Sequence, residues 1–164
     1  MSSAAKRRVA ITGIGIVSPI GISREGLWQG LQSGQSAVRT VTRFDPAMFR
    51  SHNAAEINDF HAADFLEQKR AKRLERFGHF AVASARLALD DSGINLASED
   101  RERVGSIMGS ALGGVAYAES QMHVFMEKGL KALDPALALM VFAGAASCNI
   151  AIEFGLQGPT VPTP

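Results

Sequence analysis

Apolar residues fall along this chain in two kinds of run, short continuous ones and longer ones with a helical period. Residues 8–17, RVAITGIGIV, are almost unbroken apolar sequence rich in β-branched side chains, with basic residues before and Ser18-Pro19 after. That pattern predicts a buried strand of an α/β sheet, with glycines where the chain turns. A helix is predicted over roughly 24–33, capped by Ser23, carrying Leu27, Trp28 and Leu31 at helical spacing and stopped by Gly34. Residues 35–62 hold no sustained period and predict a loop. From about 63 to 92 the period is helical again, with Leu74, Phe77, Ala81, Ala85 and Ala88 on one stripe and Gly93 closing the end.

Val104 to Ser110 predicts a second buried strand. A helix to about 128 follows, with Val115, Ala118, Met122, Phe125 and Met126 on its inner face and Gly129 beyond its end. Asp134-Pro135 then has the form of an N-cap and first helical residue, opening a last helix to about Phe154 that is apolar or small on nearly every side. A helix without a polar face must be covered all round, inside a larger body or between subunits. The order strand–helix–helix–strand–helix–helix gives an α/β layered class. Two strands are too few to support that many helices, so the chain reads as part of a larger fold.

Composition narrows the function classes. The chain has 164 residues, 46% hydrophobic and 20% charged, with a net charge of +1 and both signs mixed along it. That gives no basis for nucleic-acid binding or for general attraction to membranes. No apolar stretch reaches spanning length and the N-terminal apolar run is too short for a signal core. A single cysteine, Cys148, rules out an internal disulfide framework and makes a reducing, cytoplasmic compartment the default.

Four features invite a chemical reading. Gly13-Ile14-Gly15 follows a predicted strand as a dinucleotide fingerprint does, but Ser18 replaces the third glycine and no acidic residue ends a second strand where ribose binding needs one. A structural turn is the preferred reading. Cys148 lies midway along the predicted last helix, away from the helix end that would favour a thiolate, and none of the four histidines has a motif linking it to the sulfur, so it reads as an inert packing residue. Nor do these residues show metal-ligand spacing. Lys69, Arg70, Lys72, Arg73 and Arg76 form a basic stretch that is either a solvated helix face or a dock for an acidic, phosphorylated partner. Gly109-Ser110-Ala111-Leu112-Gly113-Gly114 is either a tight strand-to-helix connection or a place where backbone approaches a ligand chain, with Leu112 its only bulky side chain.

Together these segments resemble the N-terminal part of the elongating β-ketoacyl-[acyl-carrier-protein] synthases. The matching stretches are RRVAITGIGIVSPIG at 7–21, LWQGLQSGQSAV at 27–38, FD at 44–45, ALDDSGI at 88–94, RVGSIMGSALGG at 103–114 and IEFGLQGP at 152–159. The resemblance implies an α/β, thiolase-like layered fold, of which this chain is an incomplete N-terminal half, a single β-ketoacyl synthase N-terminal domain over 1–164. It implies an acyltransferase of fatty-acid or polyketide synthesis that condenses an acyl-thioester with malonyl-carrier, with the acyl carrier protein as partner, a homodimeric full-length form, and no metal or redox cofactor.

The family's cysteine nucleophile and two histidines match no residue here; the cysteine slot falls a few positions past Pro164, and Cys148 does not correspond to it. The resemblance therefore assigns no catalytic residue to this chain and implies that it is inactive alone. It does place Leu112 at the acyl-pocket gate with Ala111 beside it, and Leu137 and Ala138 where a partner subunit contributes pocket wall. Lys69, Lys72 and Arg73 match the carrier-docking patch. Leu139-Met140 departs from the family's usual proline and small polar residue, which leaves the placement of 137–138 open. The competing readings are a non-catalytic chain-length-factor-like partner subunit, a fragment that only binds carrier protein, and a nucleotide-binding module. An exposed apolar last helix also predicts aggregation or oligomers for the isolated chain.

Overall fold

The computed structural model describes residues 8–163. Its centre is a helix pair. α3 (Arg76–Ser92) and α6 (Ala145–Phe154) cross, burying Ala81, Val82, Ala146 and Ile150 together with Leu66 and Leu74. Alanines at the crossing allow the two backbones close approach, because interaxial distance follows the side chains at the contact. Phe77, Met108, Phe154 and Leu156 close the core at its edges.

Beside this pair, β5 (Ser106–Gly109) and β6 (Thr160–Thr163) run parallel, with Ser106 opposite Thr160 and Gly109 opposite Thr163. The crossover between them carries α4 (Val115–Lys128), α5 (Leu137–Val141) and α6. Parallel neighbours require such a long helical connection. The remaining ladders are two-residue antiparallel pairs, β1 (Val17–Ser18) with β2 (Gly21–Ile22), and β3 (Arg39–Thr40) with β4 (Asn53–Ala54).

α1 (Ser23–Ser33) lies where the sequence predicts it, and Ser23 Oγ accepts the Gly26 N–H at 3.3 Å in the manner of an N-cap. Gly34 and Gly93 take the left-handed conformation that ends α1 and α3.

The structure departs from the sequence reading in five places. Residues 8–16 form no ladder: among the described residues no strand runs alongside them, and Val9 and Ile11 are 94% and 86% exposed. The segment is held instead by α3. A Cβ at Gly13 or Gly15 would overlap the carbonyl oxygens of Ala88 and Ser84, and Asp91 accepts the Ile14 N–H at 2.9 Å while pairing with Arg24 at 2.7 Å.

The helix predicted over 63–92 is broken into a 3-10 turn (Ala62–Asp64), α2 (Gln68–Ala71) and α3, because the Glu75 carboxylate turns back to accept the Phe77 N–H at 2.8 Å and starts a new helix. The last helix is likewise two. Val141 O accepts the Gly114 N–H at 3.0 Å, Phe142 is extended, and α6 begins anew at Ala145. Finally, β6 is a strand that the sequence reading leaves unassigned, and the predicted inner face of α4 is uncovered, with Met122 and Met126 58% and 75% exposed.

Candidate functional site: a cationic face and an apolar groove

The basic stretch divides in two. Arg70 turns inward and pairs with Glu153 on α6 at 3.5 Å, where Arg86 also binds Glu153 at 2.8 Å. Arg86 further donates to Phe65 O at 2.9 Å and stacks over the Phe154 ring. Arg76 donates to Ile57 O and lies 4.8 Å above the Phe80 ring. These three arginines fasten α2 and α3 to their neighbours. Lys69, Lys72 and Arg73 are exposed, and among the described residues none of them has a carboxylate within ion-pair distance. The short turn after α2 and the cap at Glu75 put these three cations on the outside while Arg70 and Leu74 point in.

The β5–α4 connection resolves the glycine segment. A Cβ at Gly113 would overlap Val141 O, one at Gly114 would overlap Met140 O, and Gly113 has φ of 57°. Both glycines are therefore required by close approach of the chain's own α5 backbone. Ser110 Oγ accepts the Gly113 N–H at 3.1 Å and fixes the turn. Leu112 projects from it, 71% exposed, with Ala111 exposed beside it.

α4 and α5 enclose an apolar groove of about 560 Å³ lined by Val115, Met122, Phe125, Leu133 and Leu137. Leu137 is thus in a pocket wall, while Ala138 faces outward and Ala111 and Leu112 lie outside this groove. Its far wall is stapled by contacts that sequence patterning does not disclose. Tyr117 Oη donates to Asp134 Oδ2, the Asp134 N–H donates to Gln121 Oε1 at 2.9 Å, and Asp134 Oδ1 accepts the Ala136 N–H at 2.8 Å. The bond to Asp134, then burial, pushes the Tyr117 phenol up to about 12, and the same hydroxyl holds the Asp134 carboxyl below its ordinary value. Asp134 is legible as a capping side chain, although α5 opens at Leu137 rather than at Pro135; its bond to Tyr117 is not.

Cys148 lies near the start of a helix, not midway along one. The break before Ala145 makes it the fourth residue of α6, in the first turn, with its N–H bonded to Gly144 O at 3.1 Å. The distance argument from a single long helix does not hold. Its thiol is free and half-buried. Among the histidines, His79 places Nε2 at 2.8 Å from Ala71 O, and His52, His61 and His123 are exposed. Among the described residues no cluster of three or more His, Cys, Asp or Glu could hold a metal ion, and no helix is long and apolar enough to cross a membrane.

A helix pair packed on a parallel β5–β6 ladder, with a glycine turn leading into an apolar crossover groove, is part of an α/β layered fold, and its likeness to solved ketosynthases makes that fold thiolase-like. The chain belongs to the β-ketoacyl synthase family: the model of the beta-ketoacyl synthase N-terminal domain matches residues 6–163. It is 35% identical over 97% of its length to a 3-oxoacyl-[acyl-carrier-protein] synthase 2 of Synechocystis sp., and 36% identical over 95% to one of Coxiella burnetii. The chain spans 38% of each of these relatives. Among solved structures, the ishigamide ketosynthase/chain length factor superposes with a TM-score of 0.86 at 33% identity, covering 97% of this chain and 40% of that one. A β-ketoacyl synthase from Burkholderia phymatum superposes with a TM-score of 0.76 at 26% identity, over 96% and 39%.

Proposed function

We propose that this chain is the N-terminal part of a carrier-dependent condensing enzyme, which joins an acyl group to the carbon of a malonyl-carrier thioester with loss of carbon dioxide, in fatty-acid or polyketide synthesis in the cytoplasm. The observation that carries this is the sorting of the cationic stretch. Arg70 and Arg76 are each bonded to a neighbouring element, and Lys69, Lys72 and Arg73 are left outward as a positive face. Such a face raises the encounter rate with an acidic carrier protein and sets its orientation. The names of the Synechocystis and Coxiella relatives, both synthases acting on acyl-carrier protein, support the same partner.

In this reading Leu112, with Ala111 beside it, gates the acyl pocket. Leu137 and Ala138 form wall that reaches a second subunit of a homodimer; the uncovered apolar groove supports the part of Leu137, which lines it, and Ala138 is exposed beside it. No residue of this chain takes the nucleophile's part, and the 164 residues by themselves form no 3-oxoacyl product.

The test is titration of fluorescently labelled acyl carrier protein onto the chain. Combined Lys69→Glu, Lys72→Glu and Arg73→Glu should weaken binding by about tenfold or more, and added salt should weaken wild-type binding. Lys128→Glu, on an exposed position of α4, serves as the control and should leave it unchanged. Equal affinity of the triple variant and wild type contradicts the proposal. The likeness to the ishigamide ketosynthase/chain length factor favours one second reading, a non-catalytic chain-length-determining subunit. Both readings share the carrier face; they part at the residue in the nucleophile slot.

A further inference from the structure

An open cavity of about 680 Å³, sharing no lining residue with the α4–α5 groove, lies between the 41–57 segment, the start of α3 and Ala116 of α4. Its walls are aromatic and cationic, with Phe44, Phe49 and Phe80 beside Arg43, Arg50 and Arg76. Phe44 and Phe49 hold each other edge to face, ring centroids 5.5 Å apart, yet remain 56% and 59% exposed. Paired aromatics left open to a cavity present fixed apolar surface to a ligand.

The charges in the cavity are unevenly matched. Glu56 and Glu75 also line it, but each carboxylate is turned to other donors. Glu56 accepts from Thr42 Oγ1 at 2.7 Å and from the N–H groups of Thr42 and Arg43 at 3.1 and 3.3 Å, and Glu75 accepts from the Phe77 N–H at 2.8 Å. Among the described residues neither forms an ion pair with a cavity arginine. Arg76 is fixed in place by Ile57 O and the Phe80 ring. Its guanidinium feels burial first and then the positive charge of Arg43, both of which lower its pKa, while Glu75 opposes them; it stays charged at any physiological pH. Two guanidiniums that repel one another beside an apolar wall are stabilised by an oxyanion, which accepts from both.

We infer that this cavity binds a small ligand carrying an oxyanion, phosphate ester or carboxylate, on a flat apolar body, with Arg43 and Arg76 holding the anion and Phe44 and Phe49 the body. The inference does not depend on the condensing activity. Isothermal titration of the full chain with phenyl phosphate and with benzoate tests it, with inorganic phosphate and benzyl alcohol as the separate halves. At least one aryl anion should bind saturably and roughly tenfold more tightly than either half. Preference for phenyl phosphate identifies a phosphate ester, and preference for benzoate a carboxylate. Arg43→Ala and Phe49→Ala should each weaken binding about fivefold or more, while the melting temperature stays unchanged because both side chains are exposed. No saturable binding of either aryl anion at millimolar concentration overturns the inference. So does binding that Arg43→Ala leaves intact.

Discussion

Tyr117 is the chain's single tyrosine, so its ionisation is directly visible in ultraviolet absorbance. The Asp134 hydrogen bond pushes its phenol up to about 12 from 10.0. The folded chain therefore holds that proton more tightly than the unfolded one. The resulting stability is complete below pH 10.0 and is lost as pH rises through about 12. Asp134 works in the opposite sense, its contribution being present above the ordinary carboxylate range and lost as pH falls through its lowered value. Alkaline titration should show phenolate appearing near 12, and Asp134→Asn should return it toward 10.0. An unshifted wild-type phenol would remove the staple from the account. A second prediction concerns Gly15, whose missing Cβ leaves room for the Ser84 carbonyl. Gly15→Ala should destabilise the fold by about 1–3 kcal/mol in urea denaturation, the range for forced overpacking. At this scale the sequence shows which side chains are exposed cations but not which carboxylate another residue meets. Lys69, Lys72 and Arg73 were legible; the inward turn of Arg70 to Glu153, 83 positions on, was not.

Among the elements, α1, α4 and β5 were legible because each has a period or apolar run with a glycine at its end. The two breaks were hidden for different reasons. Glu75 reads as an ordinary exposed helix position, and only its carboxylate on the Phe77 N–H reveals a cap. The break at Phe142 comes from a tertiary bond, Gly114 N–H to Val141 O, which no local pattern encodes. β6 was missed because it is four residues long and contains Pro162, which argues against a strand with neighbours on both sides. The glycine turn is legible as tight, but the α5 backbone that presses on Gly113 and Gly114 is not. The junction of α2, α3 and α6 rests on Glu153, which two arginines share at 2.8 and 3.5 Å. Glu153→Ala leaves both partly buried cations without their carboxylate. It should cost about 1–3 kcal/mol, less than a fully buried pair because the arginines reach solvent. Urea denaturation of that variant checks it, and a loss below the error of the measurement would place the helix contact entirely on its apolar core.

For the molecule as a whole, the layered α/β class was legible from element order, while the pairing of the sheet was not. Residues 8–16 have strand composition and no ladder, since a strand exists only through a neighbour and none of the described residues supplies one. Val9, Ile11, Met126, Leu130 and Leu139 are each more than two-thirds exposed. Apolar surface on that scale drives association. Sedimentation velocity of the chain should accordingly show dimers or larger species, and a clean monomer across the micromolar range would count against the assignment of the α4–α5 face to a subunit contact.

The proposed function has two parts: a loaded carrier protein docks on the cationic face, and the acyl group does not pass to this chain. Native mass spectrometry of the chain mixed with hexanoyl-loaded acyl carrier protein tests both parts at once. The expected result is a non-covalent complex that dissociates as salt is raised, with Cys148 retaining its free thiol. Stoichiometric transfer of the hexanoyl group to Cys148, or no complex at any ionic strength, would contradict it.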